Sequence, residues 1–292
     1  MNKPLIFIVL IVVAFASLIP IANAQRKQVL GRSVASNQLV SFDSIDHSSF
    51  DTLLQKYVDE DGMVNYKDWG ASSADRESLL TYINSLSAAN PNTRSSKESA
   101  LAFWINSYNA VTIEGILQVY PTTSIRNHTA KVAGYNIWHH LKLNVAGSEY
   151  SLNDIEHNVL RKMDEPRIHF AIVCASIGCP RLLNQAYVAE NLEEQLQVNT
   201  RDFFSRSQNL QYDSASSTLQ LSSLINWFAD DFGKDSNGQV TYLAPYFPKQ
   251  VQTAISTRGF NISYLDYDWN INEQKTQVSQ GSGSNKKGSN RR

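Results

Sequence analysis

The feature that most constrains this chain is LAFWINSYNAVTIEGIL at residues 101–117. Read as a helix at 100° per residue, it places Asn106 and Asn109 on one face with Ala102, Ala110, Ile113 and Leu117, while Trp104, Tyr108, Val111 and Ile116 cover the other sides. A helix apolar on every side has no face to offer water, so the rest of the chain must wrap around it. The pattern extends over residues 96 to 120 and stops at Pro121. The two amides go inside with the helix, where each polar group left without a partner costs about 1–3 kcal/mol. Two roles are open to them: tying down neighbouring backbone, or orienting a catalytic group or ligand.

Around this helix the pattern predicts an α+β fold, a single mostly helical domain packed around a small sheet with a central buried strand. Asp46 precedes a helical stripe with Phe50, Leu53, Leu54 and Tyr57 on one side, ended by the polar turn DEDG. Residues 75–86 read as a helix, 141–150 as a hairpin through Ala146-Gly147, and 187–204 as a helix. Short strands follow at 210–212 and 218–221, then a helix over 223–231 and a strand at 261–265. DEDGMVNY lacks the ligand spacing of a calcium loop, and the DFG at 231–233 lacks every other kinase element.

The two ends read differently. Residues 1–24 carry one lysine, an apolar run and Ala22-Asn23-Ala24, a removable export signal that leaves Gln25 as the first mature residue. The apolar run is borderline for a bilayer span of about 20 residues, and the Ala-x-Ala site decides for removal. The expected compartment is secreted or periplasmic, with no retained membrane span. Residues 25–45 form a lead-in, 46–272 the globular domain, and 273–292 a polar, basic tail too poor in apolar residues to order itself. A formal net charge of −1 offers no general footprint for nucleic acid.

The chain's two cysteines, Cys174 and Cys179, both lie in IHFAIVCASIGCPRLL. Residues 167–174 read as a strand apolar on both faces, delivering the second half of this stretch to its carboxyl end. His169 points the same way as Ala171 and Val173. Pro180 suits the first turn of a helix, which makes Cys179 its N-cap, its thiolate favoured by backbone dipoles and by Arg181. Upstream, Ser151 and Asp154 fit a capping box. On the helix they start, Glu156 falls on the apolar side with Leu152, Ile155 and Val159, opposite His157 and Arg161. A carboxylate facing a core needs a cation such as Arg167, or keeps its proton with a raised pKa. For the sulfurs three readings remain: a disulfide; a nucleophile at Cys179 with His169 or His157 as base and Glu156 or an asparagine orienting it; or a zinc site from Cys174, Cys179, His169 and His157.

YVDEDGMVNY, LAFWINSYNAVTI, YPTTSIR, SLNDIEHNVLR, DEPRIHFAIVCASIGCPRL and LDYDWNIN, in this order, resemble the bacterial and plant family called domain of unknown function 547, over about residues 50–272. That resemblance implies no particular activity. A more distant likeness, to papain-like or transglutaminase-like thiol enzymes, implies a cysteine nucleophile, although both candidate histidines here precede Cys179. The expected site is a polar cleft with Cys179, His169, Glu156, His157 and Asn106 as catalytic candidates and Asn109, Arg161, Cys174 and Arg181 as binding candidates. No cofactor or metal is assigned. The expected function is thiol-dependent acyl or amide hydrolysis or transfer on a small-molecule or peptide-like ligand, and its rival is a non-catalytic cell-envelope binding module with a structural disulfide.

Overall fold

The computed structural model describes residues 27–130 and 134–275; the expected leader and most of the expected tail lie outside them. After β1 (Gln28–Leu30) come four helices, α1 (Ser48–Tyr57), α2 (Tyr66–Ala71), α3 (Ser73–Leu86) and α4 (Lys97–Val119). Short polar side chains start three of them: Asn65, Ser72 and Ser96 each accept a hydrogen bond from the backbone N–H three residues on. In the DEDG turn, Asp59 Oδ1 accepts from the Asp61 and Met63 amides. Gly62 has φ +81°, and a Cβ there would lie 2.6 Å from Leu182 N, so a side chain at this position would push residues 181–182 away.

Every residue of α4 from Leu101 to Leu117 is buried, as its all-round apolar pattern requires. Packed near it are α5 (Ile137–His140) and the hairpin β2 (Leu141–Val145) and β3 (Ser148–Ser151), in which β1 runs parallel to β2 and β2 antiparallel to β3. The second half contains α6 (Leu192–Ser205), β4 (Leu210–Asp213), β5 (Thr218–Ser222), α7 (Ser223–Trp227), α8 (Ala229–Phe232), α9 (Ser236–Leu243), α10 (Lys249–Arg258) and β6 (Asn261–Leu265). Here β5 pairs antiparallel with β4 and parallel with β6. The expected helix over 223–231 is broken at Phe228, and α6 begins five residues later than expected because residues 187–188 stay extended. Two apolar clusters result, a large one around α4 and a smaller one of phenylalanines and leucines around Phe170, Phe203 and Leu219.

The fold is α+β, with two small sheets in place of one, and the central buried strand does not exist. Residues Pro166–Phe170 form a 3-10 turn, and 171–175 continue irregularly. Likewise residues 180–188 form no helix. Both segments are buried, so their backbone groups still need partners. Side-chain amides supply them. Asn109 of α4 donates to Ala171 O and accepts from Val173 N; Asn106 does the same for the O and N of Tyr187. From α6, Gln195 bridges Ala186 O and Val188 N, while Asn199 donates to Phe170 O and Arg181 O. An apolar run buried on all sides mimics a central strand in sequence, but here carboxamides replace the neighbouring strands.

The segment after β6 crosses this region as a strap. Ile177 N donates to Asn270 O, Gly178 N to Asp268 O, Asn272 N to Ala175 O and Gln274 N to Val64 O. A Cβ on Gly178 would stand 2.9 Å from Asp268 N, so strap and cysteine loop meet only because that side chain is absent. Glu273 and Gln274, placed at the start of the tail in the sequence reading, belong to the folded part: Tyr120 donates to Glu273, and Gln274 Nε2 donates to the Tyr57 and Met63 carbonyls.

Candidate active site

The loop from Cys174 to Cys179 is held on one side by the amide bridge of Asn109 and on the other by the strap. Within it, Ala175 adopts φ +58°, a left-handed conformation rare for a residue with a Cβ. The fold brings the two sulfurs together as free thiols. Cys179 Sγ accepts from the Cys174 backbone N–H at 3.0 Å, from the Tyr267 hydroxyl at 3.1 Å and from the Ser176 hydroxyl at 3.4 Å. Cys174 Sγ touches the same two hydroxyls, Ser176 Oγ at 3.1 Å and Tyr267 Oη at 3.3 Å.

These contacts settle the direction of each thiol's ionisation. Burial alone would push Cys179 up, but hydrogen bonds from the Cys174 thiol, Ser176, Tyr267 and the Cys174 amide outweigh it and hold Cys179 below the ordinary thiol range. Cys174 moves the opposite way, held protonated by its bond to Cys179 and then by burial. The helix N-terminus expected to activate Cys179 is absent. Arg181 is also turned away, its guanidinium donating to Asn199 Oδ1 and the Glu60 carbonyl. The cause of activation is therefore local hydrogen bonding around the sulfur.

Cys174 and Cys179 open into a cleft of about 150 Å³ whose walls include Tyr108, Glu156, His169, Trp227, Phe228, Tyr267 and Trp269. Glu156, also in its lining, lies on a π-helical turn over residues Asp154–Val159, a distortion that frequently accompanies functional side chains. The capping contact of Ser151 and Asp154 forms as expected. Glu156 has no ion pair among the described residues; Arg167 pairs with Glu165 and Glu193 instead. Burial first, and then the charge on Cys179, push the Glu156 carboxyl up to about 7, against the smaller opposing effects of Arg161 and the Tyr108 hydroxyl, which lies 3.4 Å from Glu156 Oε2.

His169 lines the same cleft, but its Nε2 is bonded to Asp231 Oδ2 at 2.7 Å and its ring stacks on Phe228 at 4.0 Å. Burial holds it below the usual histidine range despite the aspartate. Arg161 grips both oxygens of Asp231 at 2.6 and 2.7 Å and contacts His157 Nδ1 at 3.1 Å. No histidine is among the hydrogen-bond partners of Cys179 in the described residues, so the base expected from the sequence is not in contact with the sulfur. Asn106 and Asn109 take the backbone-tying role and touch neither thiol. No group of three or more His, Cys, Asp or Glu side chains among the described residues is placed to hold a metal ion, and the zinc arrangement of Cys174, Cys179, His169 and His157 is not assembled.

Sequence reading missed Tyr108, Ser176, Tyr267, Asp231 and the tryptophans of the rim. Tyr267 and Trp269 were visible only as part of LDYDWNIN, and Asp231 only at the end of the helix read over 223–231 and as the first residue of DFG; none has a local pattern that ties it to cysteines 52 to 95 residues away. A wider cleft of about 530 Å³ lies elsewhere, lined by Asp43, Asp46, His47 and Asp51. Its aspartates are engaged by Ser96, Ser48, Gln55 and the Ala186 amide, and it contains no thiol. Both thiols and the raised Glu156 carboxyl line the smaller cleft.

Residues 92–204 match a family described as "Protein of unknown function, DUF547". Residues 92–204 are a segment of this family. The match to this family runs from before α4 through most of α6, taking in both cysteines, Glu156 and His169, while Asp231, Trp227, Tyr267 and Trp269 lie beyond it. No curated protein and no solved structure matches the chain. Among the described residues, no helix is long and apolar enough to cross a membrane.

Proposed function

We propose that the chain is a thiol-dependent acyl or amide hydrolase or transferase with Cys179 as nucleophile and Glu156 as acid and base, acting outside the cytoplasm after loss of residues 1–24. One observation carries this reading: four donors converge on a sulfur at the floor of a cleft that also holds a carboxyl titrating near neutrality. The Cys179 thiolate attacks the substrate carbonyl and forms a C–S bond. As the C–N or C–O bond breaks, the leaving group takes the proton of the Glu156 carboxyl. Water then gives a proton to the Glu156 carboxylate and its oxygen displaces the sulfur, releasing the acid and restoring the thiolate. The Tyr108 and Tyr267 hydroxyls, both held protonated chiefly by burial, are the donors facing the cleft for the developing oxyanion. Arg161 fixes Asp231, and Asp231 in turn holds the His169 ring in the cleft lining; theirs is a positioning role.

The second reading, a binding module with its sulfurs tied off, is favoured by a different fact. Cys174 and Cys179 already share two hydroxyl partners, so their oxidation by a small disulfide requires little rearrangement. One preparation separates the two. Protein recovered from the exported fraction, starting at Gln25 and purified without reductant, is expected to hold two free thiols and to turn over p-nitrophenyl acetate with an acyl-enzyme burst that Cys179→Ser abolishes. Two blocked sulfurs, with no turnover after reduction, would leave the binding module.

A further inference from the structure

We propose that the cleft over Cys179 selects a flat apolar ring, so that the acyl group transferred is arylacyl or an aromatic aminoacyl group. The reaction part rests on the thiol reading above; the binding part rests on the walls alone. Trp227 is 48% exposed, unusual for so large a side chain, and it lines the cleft. Its ring packs on Tyr267 at 4.8 Å and on Trp269 at 5.6 Å with an interplanar angle of 25°. Tyr267 and Trp269 pack on each other at 4.6 Å, Trp138 stands at 6.3 Å from Trp269, and the Arg126 guanidinium lies 5.1 Å over the Trp269 ring. The result is a fixed aromatic platform.

Tyr267 joins that platform to the chemistry. Its ring belongs to the stack while its hydroxyl lies 3.1 Å from Cys179 Sγ, so a group resting on the stack is within about one ring width of the sulfur. The rest of the lining includes the apolar side chains of Ile172, Leu224 and Phe228. Few of the lining side chains are polar, and several of those are already engaged: His169 by Asp231, and both sulfurs by Ser176 and Tyr267. A sugar also stacks on tryptophan, but its ring hydroxyls need several acceptors as well as donors, and beside the indole N–H groups and Arg126 the only carboxylate in the lining, among the described residues, is Glu156. An aromatic ring needs none.

The test uses two independent arms on the full chain. In the Cys179→Ser protein, phenylacetamide is expected to quench tryptophan fluorescence saturably, whereas acetamide and N-acetylglucosamine at the same concentrations do not; Trp227→Ala should weaken phenylacetamide about tenfold. In the wild-type protein, N-benzyl-iodoacetamide should alkylate Cys179 about tenfold faster than iodoacetamide, and the ratio should fall to about one in Trp227→Ala. Saturation by the sugar alone, or absence of saturation by phenylacetamide, overturns the platform. If neither reagent alkylates Cys179 while phenylacetamide still binds, the platform stands and the thiol reading fails.

Discussion

Replacement of Glu156 by glutamine is expected to lower turnover of an activated ester by about 10² to 10⁴-fold, the range for loss of a positioned acid and base, while Cys179 remains open to alkylation. The two effects part because they probe different protons. Turnover needs a group that gives a proton to the leaving atom and then takes one from water, and glutamine does neither. Alkylation needs only the thiolate. The charge on Cys179 helps to raise Glu156, so by reciprocity an ionised Glu156 disfavours the thiolate. Because Cys179 loses its proton before Glu156 does, the alkylation limb of the variant should stay close to the wild-type one. Equal loss of turnover and alkylation would assign Glu156 to holding the cleft together, and unchanged turnover would remove it from the mechanism.

Asn109→Ala is expected to cost on the order of 3 kcal/mol of stability, read as a lowered urea midpoint at unchanged slope. It removes a donor from Ala171 O and an acceptor from Val173 N, both buried in a segment with no strand beside it. Loss of this bridge should reach the site as well. Val173 immediately precedes Cys174, whose N–H is the shortest of the contacts to Cys179 Sγ. A slackened segment weakens that bond, so Cys179 should ionise at higher pH in the variant. Asn106→Ala strips the backbone of Tyr187 in the same way and should cost a similar amount. Because Tyr187 lies beyond the cysteine loop, its effect on thiol ionisation should be much smaller. A cost below about 1 kcal/mol for both would contradict the amide-bridge account of this core.

These two amides also mark how far the sequence was legible. The long helix, its buried position, the hairpin, the capping box at Ser151 and the strands at 210–213, 218–222 and 261–265 follow from patterns spanning a few residues, which local geometry enforces. Residues 167–174 and 180–187 defeated the same reading. Their apolar content signals burial on every side, and burial without periodicity does not distinguish a strand from irregular chain whose hydrogen bonds come from distant Asn and Gln side chains. The anomaly of Glu156, an acidic residue on an apolar side, was readable, and the side chain lines the cleft. The activation of Cys179 was not, because three of its four donors belong to a loop that was read as a strand and a helix start, and the fourth, Tyr267, arrives on a strap 88 residues downstream.

The central claim is that Cys179 is a thiolate at neutral pH while its neighbour is not. It is tested most directly by the rate of iodoacetamide alkylation at each cysteine, followed by peptide mapping from pH 4 to 10 on reduced, folded protein. A thiol whose pKa is depressed by folding becomes reactive at lower pH than an unfolded one, so Cys179 should gain reactivity well below the ordinary thiol value of about 8.5 and be level by neutrality. Cys174 should stay unmodified across that range. Reactivity of Cys179 that rises only around pH 8.5, or faster labelling of Cys174, would contradict the account.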